Sequence, residues 1–327
     1  MTLHDSFGRQ ITDLRISVTD RCNFRCVYCR SADPENYHDH DEILSWPELD
    51  RLAKIFLSLG IRKIRVTGGE PLVRDGVENY IARLHALGVQ DLSITTNGHL
   101  LVERCERLMA AGLRRINISL DSLDADKFER ITRTKSFSAV MDGIEAVQKS
   151  RLAPAKINAV LVRGINDDEV EAFAEFSRDR GVIMRFIEFM PLDADRHWSR
   201  ALVVPASEVY DRIHARWPLV QIPHERSETA RKYRFADGAP GEIGLIASVT
   251  QPFCGHCSRI RLTADGKLRT CLFSKEDHDL RFLLRDGATD DDLATYITSV
   301  VNDKEEGHRI NEPGFVPPSR TMVFIGG

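Results

Sequence analysis

Six of the seven cysteines in this chain fall into two groups of three. The groups are Cys22, Cys26 and Cys29, spaced Cys-x3-Cys-x2-Cys, and Cys254, Cys257 and Cys271, spaced Cys-x2-Cys-x13-Cys. Because thiolates are ligands for soft metal centres, each group is a candidate metal site. The seventh, Cys105, stands alone in a helical pattern, which is typical of ordinary core packing.

The number of thiols in each group bears on the kind of metal. A structural zinc ion takes four Cys or His ligands, and neither group has a well-placed fourth. His256 lies inside the second Cys-x2-Cys, and His38 and His40 are separated from the first group by an acidic stretch. Three thiolates instead suit a cluster of four irons and four sulfides with one iron left open. The spacing favours iron–sulfur for the first group and leaves iron–sulfur and zinc open for the second.

The second group has a readable local geometry. Ala264-Asp265-Gly266 is a hairpin turn signal between two β-rich runs. Folding this hairpin would carry Cys271 back beside Cys257. Arg259 and Arg261 are two residues apart on one strand and therefore share a face. Two guanidinium groups beside a metal site could hold phosphate; the alternative interpretation is a solvated strand face.

Short β-rich runs alternate with amphipathic helical stretches over residues 12–190, and this rhythm predicts a parallel α/β sheet. The predicted strands are LRISVT (14–19), KIRVT (63–67), LSITT (92–96), INISL (116–120), INAVLV (157–162) and MRFIEF (184–189). Nearly every unusual polar cluster comes just after one of these runs, as Gly68-Gly69-Glu70-Pro71 does. Active sites of (β/α) barrels lie at the carboxyl ends of the strands, so we predict an incomplete (β/α)6 barrel of the TIM type.

The helix–strand rhythm ends near residue 193. Beyond it lie the run RKYRFADGAPGEIGLIAS, which predicts a hairpin, the second cysteine group and a helical pattern DDDLATYITSVVNDK. We therefore predict a barrel domain over residues 1–192 and a smaller α+β domain over residues 193–327 that carries the second metal site. The last stretch, NEPGFVPPSRTMVFIGG, is predicted to be an extended tail.

Composition limits the classes of partner. The formal net charge is −4, so no overall positive field would draw nucleic acid, and a phosphate site must be a local cluster of cations. No apolar run approaches the ~20 residues that cross a bilayer, and Met1 to Gln10 lack the features of a secretory signal. We expect a cytoplasmic protein with reduced cysteines and no membrane or nucleic-acid partner.

Two of these motifs together resemble a known superfamily. Cys-x3-Cys-x2-Cys directly after a first strand, with an aromatic residue (Tyr28) before the third cysteine, is similar to the radical S-adenosylmethionine enzymes. Gly68-Gly69-Glu70-Pro71 after the second strand resembles the segment with which those enzymes hold the methionine amino group. The superfamily implies a 4Fe–4S cluster whose open iron binds S-adenosylmethionine. It also implies that a 5′-deoxyadenosyl radical abstracts hydrogen from the substrate.

Three further features resemble the GTP 3′,8-cyclases of molybdenum cofactor biosynthesis, from about residue 7 to the last residue. They are the stretch LRISVTDRCNFRCVYC, the stretch CGHCSRIRL with a third cysteine fourteen residues on, and the terminal Gly326-Gly327. The resemblance implies a second 4Fe–4S cluster that holds the guanine edge, and a terminal tail that reaches toward the active site. It implies cyclisation of GTP to (8S)-3′,8-cyclo-7,8-dihydroguanosine 5′-triphosphate, the first step of that pathway.

The same resemblance implies site residues. The first cluster falls on Cys22, Cys26 and Cys29, and the second on Cys254, Cys257 and Cys271. The S-adenosylmethionine contacts fall on Tyr28, Gly69, Ser119 and Met190. The GTP contacts fall on Arg15, Arg65, Thr95, Lys156, Arg259 and Arg261. Five of these last six residues are basic, which suits the binding of a triphosphate. The resemblance assigns no residue to the final electron and proton transfer of the reaction.

The resemblance also implies partners: an external one-electron donor, cyclic pyranopterin monophosphate synthase as the enzyme that receives the product, and a second copy of the chain in a homodimer. Two alternatives remain at this stage. One is a radical S-adenosylmethionine enzyme that modifies a peptide with the help of an auxiliary cluster. The other is a zinc-stabilised interaction protein without enzymatic activity.

Overall fold

The computed structural model describes residues 2–31, 37–223 and 227–326 of the 327 in the chain. Within these ranges the strands are β1 (Asp13–Ser17), β2 (Lys63–Thr67), β3 (Asp91–Thr96), β4 (Arg115–Ser119), β5 (Lys156–Leu161), β6 (Ile183–Glu188), β7 (Leu219–Ile222), β8 (Arg231–Phe235), β9 (Glu242–Ile246), β10 (Arg259–Leu262), β11 (Lys267–Arg269) and β12 (His278–Asp279). All six predicted barrel strands are present, with their ends shifted by at most two residues.

The helices are α1 (Trp46–Ser58), α2 (Val77–Ala86), α3 (Leu101–Ala110), α4 (Ala125–Thr132), α5 (Phe137–Gln148), α6 (Val170–Arg180), α7 (Ala206–Arg216), α8 (Leu280–Arg285), α9 (Asp290–Asn302) and α10 (Met322–Ile325). The start of α1 shows how local sequence sets an end: the Ser45 side chain accepts the amide hydrogen of Glu48, whose carboxylate accepts that of Ser45. No helix in the described ranges is long and apolar enough to cross a membrane.

One sheet contains the described strands, in the order β12-β11-β10-β1-β2-β3-β4-β5-β6-β9-β8-β7. Strands β1 to β6 are parallel neighbours, joined by helices, and form the predicted incomplete (β/α)6 barrel. The later strands extend it at both edges, where β10 pairs parallel to β1 and β9 pairs parallel to β6. Because strands from the C-terminal half extend both edges of the sheet, this half contributes to the walls of the barrel. The domain boundary at residue 192 remains a prediction.

Both predicted hairpins are present. Strands β10 and β11 pair antiparallel around the turn at Gly266, which has a φ of 79°. Strands β8 and β9 pair antiparallel in the run RKYRFADGAPGEIGLIAS, and the predicted closing helix is α9. The fold class expected from the sequence is therefore confirmed.

The prediction of an extended terminal tail is wrong at its end. Residues Met322–Ile325 form a helical turn, α10, in which Val323 and Ile325 are buried. Ile325 belongs to a small apolar cluster that includes Leu192, Val249 and Phe273, and Met322 packs against that cluster. Burial of these apolar side chains favours the compact conformation over an extended one. Gly327 lies outside the described residues.

Alternation along the barrel strands determines what faces the interior. In β1, Leu14 and Ile16 are buried in the main apolar core, which includes Leu52 and Phe56 of α1. Arg15 has the opposite orientation and lines an internal cavity. A cavity lined in part by polar and charged side chains thus replaces the layers of branched apolar side chains that fill a closed TIM barrel.

Candidate active site

One cavity inside the barrel brings together fifteen of the sixteen site residues predicted from the sequence. They are Arg15, Cys22, Cys26, Tyr28, Cys29, Arg65, Gly69, Thr95, Ser119, Met190, Cys254, Cys257, Arg259, Arg261 and Cys271. Lys156, at the start of β5, does not line this cavity. Its pKa is lowered to about 8, by burial and by the nearby cations Arg115, Arg185 and Arg65, so it belongs to the same basic group.

The first cysteine group occupies a tight segment after β1. The amides of Cys29 and Arg30 both donate to the Cys26 carbonyl oxygen at 2.9 Å, which turns the chain between the last two thiols. Burial raises the pKa of Cys22 to about 11 and that of Cys26 well above its ordinary value. These sulfurs therefore become thiolates at neutral pH only with a strong positive charge beside them, as the irons of a cluster provide.

The second cysteine group faces the first across the cavity. The amide of Cys257 donates to the Cys254 carbonyl oxygen at 3.0 Å, and the β10–β11 hairpin returns Cys271 to the same wall, as predicted. Burial raises the pKa of Cys254 and Cys271. For Cys257 burial acts in the same direction, but the pKa is lowered overall, by the charges of Arg259, Lys304 and Arg9 and by a hydrogen bond from the Arg259 backbone.

The donor sets fit clusters with an open iron. No group of three or more His, Cys, Asp or Glu side chains in residues 2–31, 37–223 and 227–326 is arranged to hold a single metal ion. His38, considered as a fourth ligand for the first group, is hydrogen bonded instead to Asp20, with its Nδ1 atom 3.1 Å from Oδ2. His256 is exposed and does not line the cavity. Each group thus offers three thiols, the set that suits a 4Fe–4S cluster with one open iron.

The glycine pair after β2 lies against the segment that leads into the first cysteine group. The Gly69 amide donates to the Thr19 carbonyl oxygen at 2.8 Å, and a Cβ atom on Gly69 would lie 2.4 Å from the Arg21 carbonyl oxygen. Glu70 is buried and accepts hydrogen bonds from the amides of Leu72 and Asn97. Only glycine permits this approach, so the motif fixes the segment before Cys22.

Tyr28 is held by a buried carboxyl group beyond β4. Its hydroxyl donates to Oδ2 of Asp121 at 2.6 Å, and Oδ1 of Asp121 accepts the Val160 amide at 2.9 Å. Burial raises the pKa of Asp121 to about 6. Ser119, at the end of β4, and Met190, after β6, line the same cavity, as expected of predicted contacts.

The basic side chains stand side by side across the sheet. Arg15 is opposite Arg65 of β2 on one side and opposite Arg261 of β10 on the other. The pKa of Arg15 is lowered well below its ordinary value, first by burial and then by Arg261, Arg65, Arg259 and Arg185. The neighbouring charges that act most strongly on its guanidinium are thus all positive.

Arg185 is a cavity residue that was not predicted from the sequence. It lies on β6, lines the cavity, and donates from Nε to Oδ1 of Asn158 at 2.8 Å. Burial and the charges of Arg65 and Arg115 lower its pKa to about 9. A signal was available, because Arg185 interrupts the otherwise apolar start of the run MRFIEF at an inward position.

The terminal tail closes one side of the cavity. Met322 and Val323 line it, and the Met322 amide donates to the Leu192 carbonyl oxygen at 3.2 Å. The Arg261 guanidinium donates to the Gly326 carbonyl oxygen. A Cβ atom on Gly326 would lie 1.9 Å from the Ser17 Oγ atom, so this position admits no side chain without a shift.

Solved structures share this architecture. A crystal structure of Streptococcus suis SuiB bound to S-adenosylmethionine matches with a TM-score of 0.63 at 11% identity, covering 96% of this chain and 75% of that one. Native anSMEcpe with bound AdoMet matches with a TM-score of 0.58 at 15% identity, covering 91% of this chain and 82% of that one. At such identities the likeness shows the fold alone.

Sequence comparisons define the class. The family described as Radical SAM superfamily matches residues 16–177, and Molybdenum Cofactor Synthesis C matches residues 182–310. With the barrel and the first cysteine segment, these matches make the chain a radical S-adenosylmethionine enzyme.

Full-length relatives narrow this further. A GTP 3′,8-cyclase of Mycobacterium sp. (strain KMS) is 43% identical over 327 residues, covering 99% of this chain and 93% of the relative. A GTP 3′,8-cyclase of Geobacter sulfurreducens is 44% identical over 333 residues, covering all of both chains. This chain belongs to the GTP 3′,8-cyclase family.

Proposed function

We propose that this chain cyclises GTP to (8S)-3′,8-cyclo-7,8-dihydroguanosine 5′-triphosphate, the first step of molybdenum cofactor biosynthesis. The observation that carries the proposal is the row of Arg261, Arg15 and Arg65 across three neighbouring strands, between two groups of cysteines. Burying several positive charges side by side is costly, and a polyanion such as a triphosphate offsets that cost.

The cysteines would hold two 4Fe–4S clusters, the first on Cys22, Cys26 and Cys29 and the second on the other three. S-adenosylmethionine would lie by the first, against Gly69, Tyr28, Ser119 and Met190. When bound, these groups supply one-electron reduction and hydrogen abstraction by a carbon radical, chemistry that no side chain performs alone. The chain itself positions them.

GTP would lie between the two groups of cysteines. Arg15, Arg65, Arg259 and Arg261 would bind its phosphates, assisted by Thr95 and by Lys156 from the edge of the basic group. Guanidinium groups suit this task because they donate bidentately to phosphate oxygens. The guanine would then point toward Cys254, Cys257 and Cys271, and the ribose toward the first cluster.

The tail contributes by excluding water. Val323 and Ile325 are buried, and Met322 and Val323 form part of the cavity wall. A closed apolar wall protects a reactive carbon radical from side reactions. We place the tail, through Gly326, among the parts that close the site after GTP binds.

We further propose the partners implied by this chemistry. An external protein or reductant supplies one electron to the first cluster, and cyclic pyranopterin monophosphate synthase receives the product. We propose a homodimer in the cytoplasm, where the cysteines stay reduced. The peptide-modifying alternative is not favoured, because the full-length relatives are GTP 3′,8-cyclases.

Substrate dependence tests the proposal. The protein, reconstituted anaerobically with iron and sulfide, is incubated with reductant, S-adenosylmethionine and either GTP, ATP or no nucleotide. We expect 5′-deoxyadenosine to increase with GTP only, together with a nucleotide of unchanged mass and altered absorbance. Equal amounts of 5′-deoxyadenosine in all three mixtures would leave the radical chemistry standing and exclude GTP as the substrate.

A further inference from the structure

Arg133, directly after α4, has an unusual backbone conformation. Its φ is 57° and its ψ is 35°, the left-handed region. Arg196 is the other residue besides glycine with a positive φ among residues 2–31, 37–223 and 227–326. A residue with a side chain in this region costs about 1 kcal/mol or more, and such strain is concentrated at functional sites.

The end of α4 is attached to the first cysteine segment. The Arg25 amide donates to the Thr132 carbonyl oxygen at 3.0 Å, and the Val27 amide donates to the Ile131 carbonyl oxygen at 2.9 Å. The last carbonyl groups of a helix need partners from outside it. Here the segment between Cys22 and Cys29 provides them, so α4 and this segment are fixed to each other.

The left-handed turn directs the Arg133 side chain back over the same segment. Its Nη1 atom donates to the carbonyl oxygens of Arg25 at 3.3 Å and Arg30 at 3.1 Å. These two residues enclose Cys26 and Cys29 in the sequence. The Nη2 atom lies 4.0 Å from Oδ2 of the Asp195 carboxylate.

A second guanidinium acts from the inside. Arg30, which is fully buried, donates from Nη1 to the carbonyl oxygens of Cys22 at 3.0 Å and Phe24 at 3.2 Å. Two arginines therefore hold four backbone carbonyl groups of the segment that carries the three thiols. Arg30 is part of the core, whereas Arg133 is exposed and can be changed with less risk to folding.

We propose that Arg133 is a positioning residue for the first cluster, which rests on the proposed function in taking Cys22, Cys26 and Cys29 as its ligands. Its hydrogen bonds fix the backbone between the thiols, and its positive charge stabilises the reduced, more negative cluster. Net charge and nearby hydrogen bonds are among the terms that determine the potentials of such clusters. Loss of Arg133 also leaves the Asp195 carboxylate uncompensated, which shifts the potential in the same negative direction.

Two substitutions separate the side chain from the backbone. Arg133→Gly removes the guanidinium and relieves the left-handed strain, which offsets part of the stability lost with its two hydrogen bonds, so the melting temperature of the cluster-free protein should change little. Arg133→Lys keeps a charge and loses the planar fork that reaches two carbonyl groups. Lys135→Ala is the matched control, since Lys135 is an exposed cation two residues away, 3.9 Å from Glu129.

The first readout needs no cluster. Hydrogen–deuterium exchange of the cluster-free proteins, followed by mass spectrometry, reports the amides of residues 25–30. We expect at least tenfold faster exchange in Arg133→Gly, partial recovery in Arg133→Lys, and wild-type exchange in Lys135→Ala. Wild-type exchange in Arg133→Gly would overturn the positioning role, whether or not the wild-type protein binds iron.

The second readout is the midpoint potential of the first cluster, measured by electron paramagnetic resonance on protein reconstituted with iron and sulfide. At a fixed reductant potential we expect a tenfold smaller ratio of reduced to oxidised cluster in Arg133→Gly, equivalent to a shift of about 59 mV, and the wild-type value in Lys135→Ala. An unchanged potential in Arg133→Gly at full iron content would overturn the claim that the charge of Arg133 stabilises the reduced cluster. If the wild-type protein binds no iron at these thiols, the proposed function fails instead, and the exchange measurement still decides whether Arg133 holds the segment.

Discussion

The Arg261 guanidinium donates a hydrogen bond to the carbonyl oxygen of Gly326. One partner is a predicted phosphate ligand on β10, and the other lies in the terminal tail, 65 residues later in the chain. The contact links closure of the tail to the part of the cavity that would bind the triphosphate. Because a guanidinium has five N–H donors, Arg261 can bind the tail and a phosphate together.

This relationship predicts that Gly326→Ala impairs catalysis. The new Cβ atom would lie 1.9 Å from the Ser17 Oγ atom, and Gly326 has a φ of 85°, so the end of the tail must shift. We expect about a tenfold or greater loss of GTP-dependent 5′-deoxyadenosine formation, with both clusters intact by their spectra. Gly314→Ala is the control, because Gly314 has a φ of 81° and a Cβ atom there would have no other atom within 4 Å. Equal effects of both changes would show that backbone strain alone, and not the contact with Ser17, is responsible.

Cys26→Ser should abolish cleavage of S-adenosylmethionine. A hydroxyl group is a poor ligand for iron, and Cys26 is the central thiol of the first group. The iron content should fall by about one cluster per chain, measured by chemical iron and sulfide analysis. Cys105→Ser, in α3 away from the cavity, should keep full iron content. Retained cleavage in Cys26→Ser would contradict its role as a ligand.

Replacing Arg259 and Arg261 by Ala should weaken GTP binding and leave the first cluster spectroscopically unchanged. Hydrogen bonds to charged groups contribute about 1.5–3 kcal/mol each, so the dissociation constant should rise by at least about tenfold for each residue. Arg234→Ala, on the exposed side of β8, is the matched control. Equilibrium binding of GTP to the anaerobic protein measures this, and an unchanged affinity would exclude these residues from the triphosphate site.

Lys156 predicts a pH dependence of GTP binding. Burial and three neighbouring arginines lower its pKa to about 8, so the free protein loses this charge as the pH rises through 8. A terminal phosphate is already ionised there, since its pKa is about 6. The dissociation constant of GTP should therefore increase between pH 7 and pH 9, and Lys156→Arg should remove most of that increase. The same pH profile in both proteins would assign the titration to another group.

Much of the fold could be predicted from the sequence because its signals are local. The six barrel strands are short runs that contain β-branched or aromatic residues, and the hairpin at Gly266 depends on a turn that only a few residue types adopt. The two cysteine groups and the glycine pair after β2 are likewise short motifs, and the structure brings them into one cavity.

The parts that were missed depend on distant contacts. Arg185 interrupts an apolar run, but only the pairing of β6 in the sheet brings its charge close to those of Arg65 and Arg115. The helical turn Met322–Ile325 forms because its apolar side chains meet Leu192 and Phe273, more than 40 residues away in each case. Lys156 was predicted as a substrate contact from resemblance, and its position outside the cavity lining, at the start of β5, could not be read from its own segment.

The most direct test of the central claim uses GTP deuterated at the ribose 3′ position. The reconstituted wild-type protein is incubated anaerobically with reductant and unlabelled S-adenosylmethionine, and 5′-deoxyadenosine is analysed by mass spectrometry. We predict one deuterium in 5′-deoxyadenosine and its loss from a cyclised nucleotide. Unlabelled 5′-deoxyadenosine, formed in the same amount without GTP, would contradict the cyclase function.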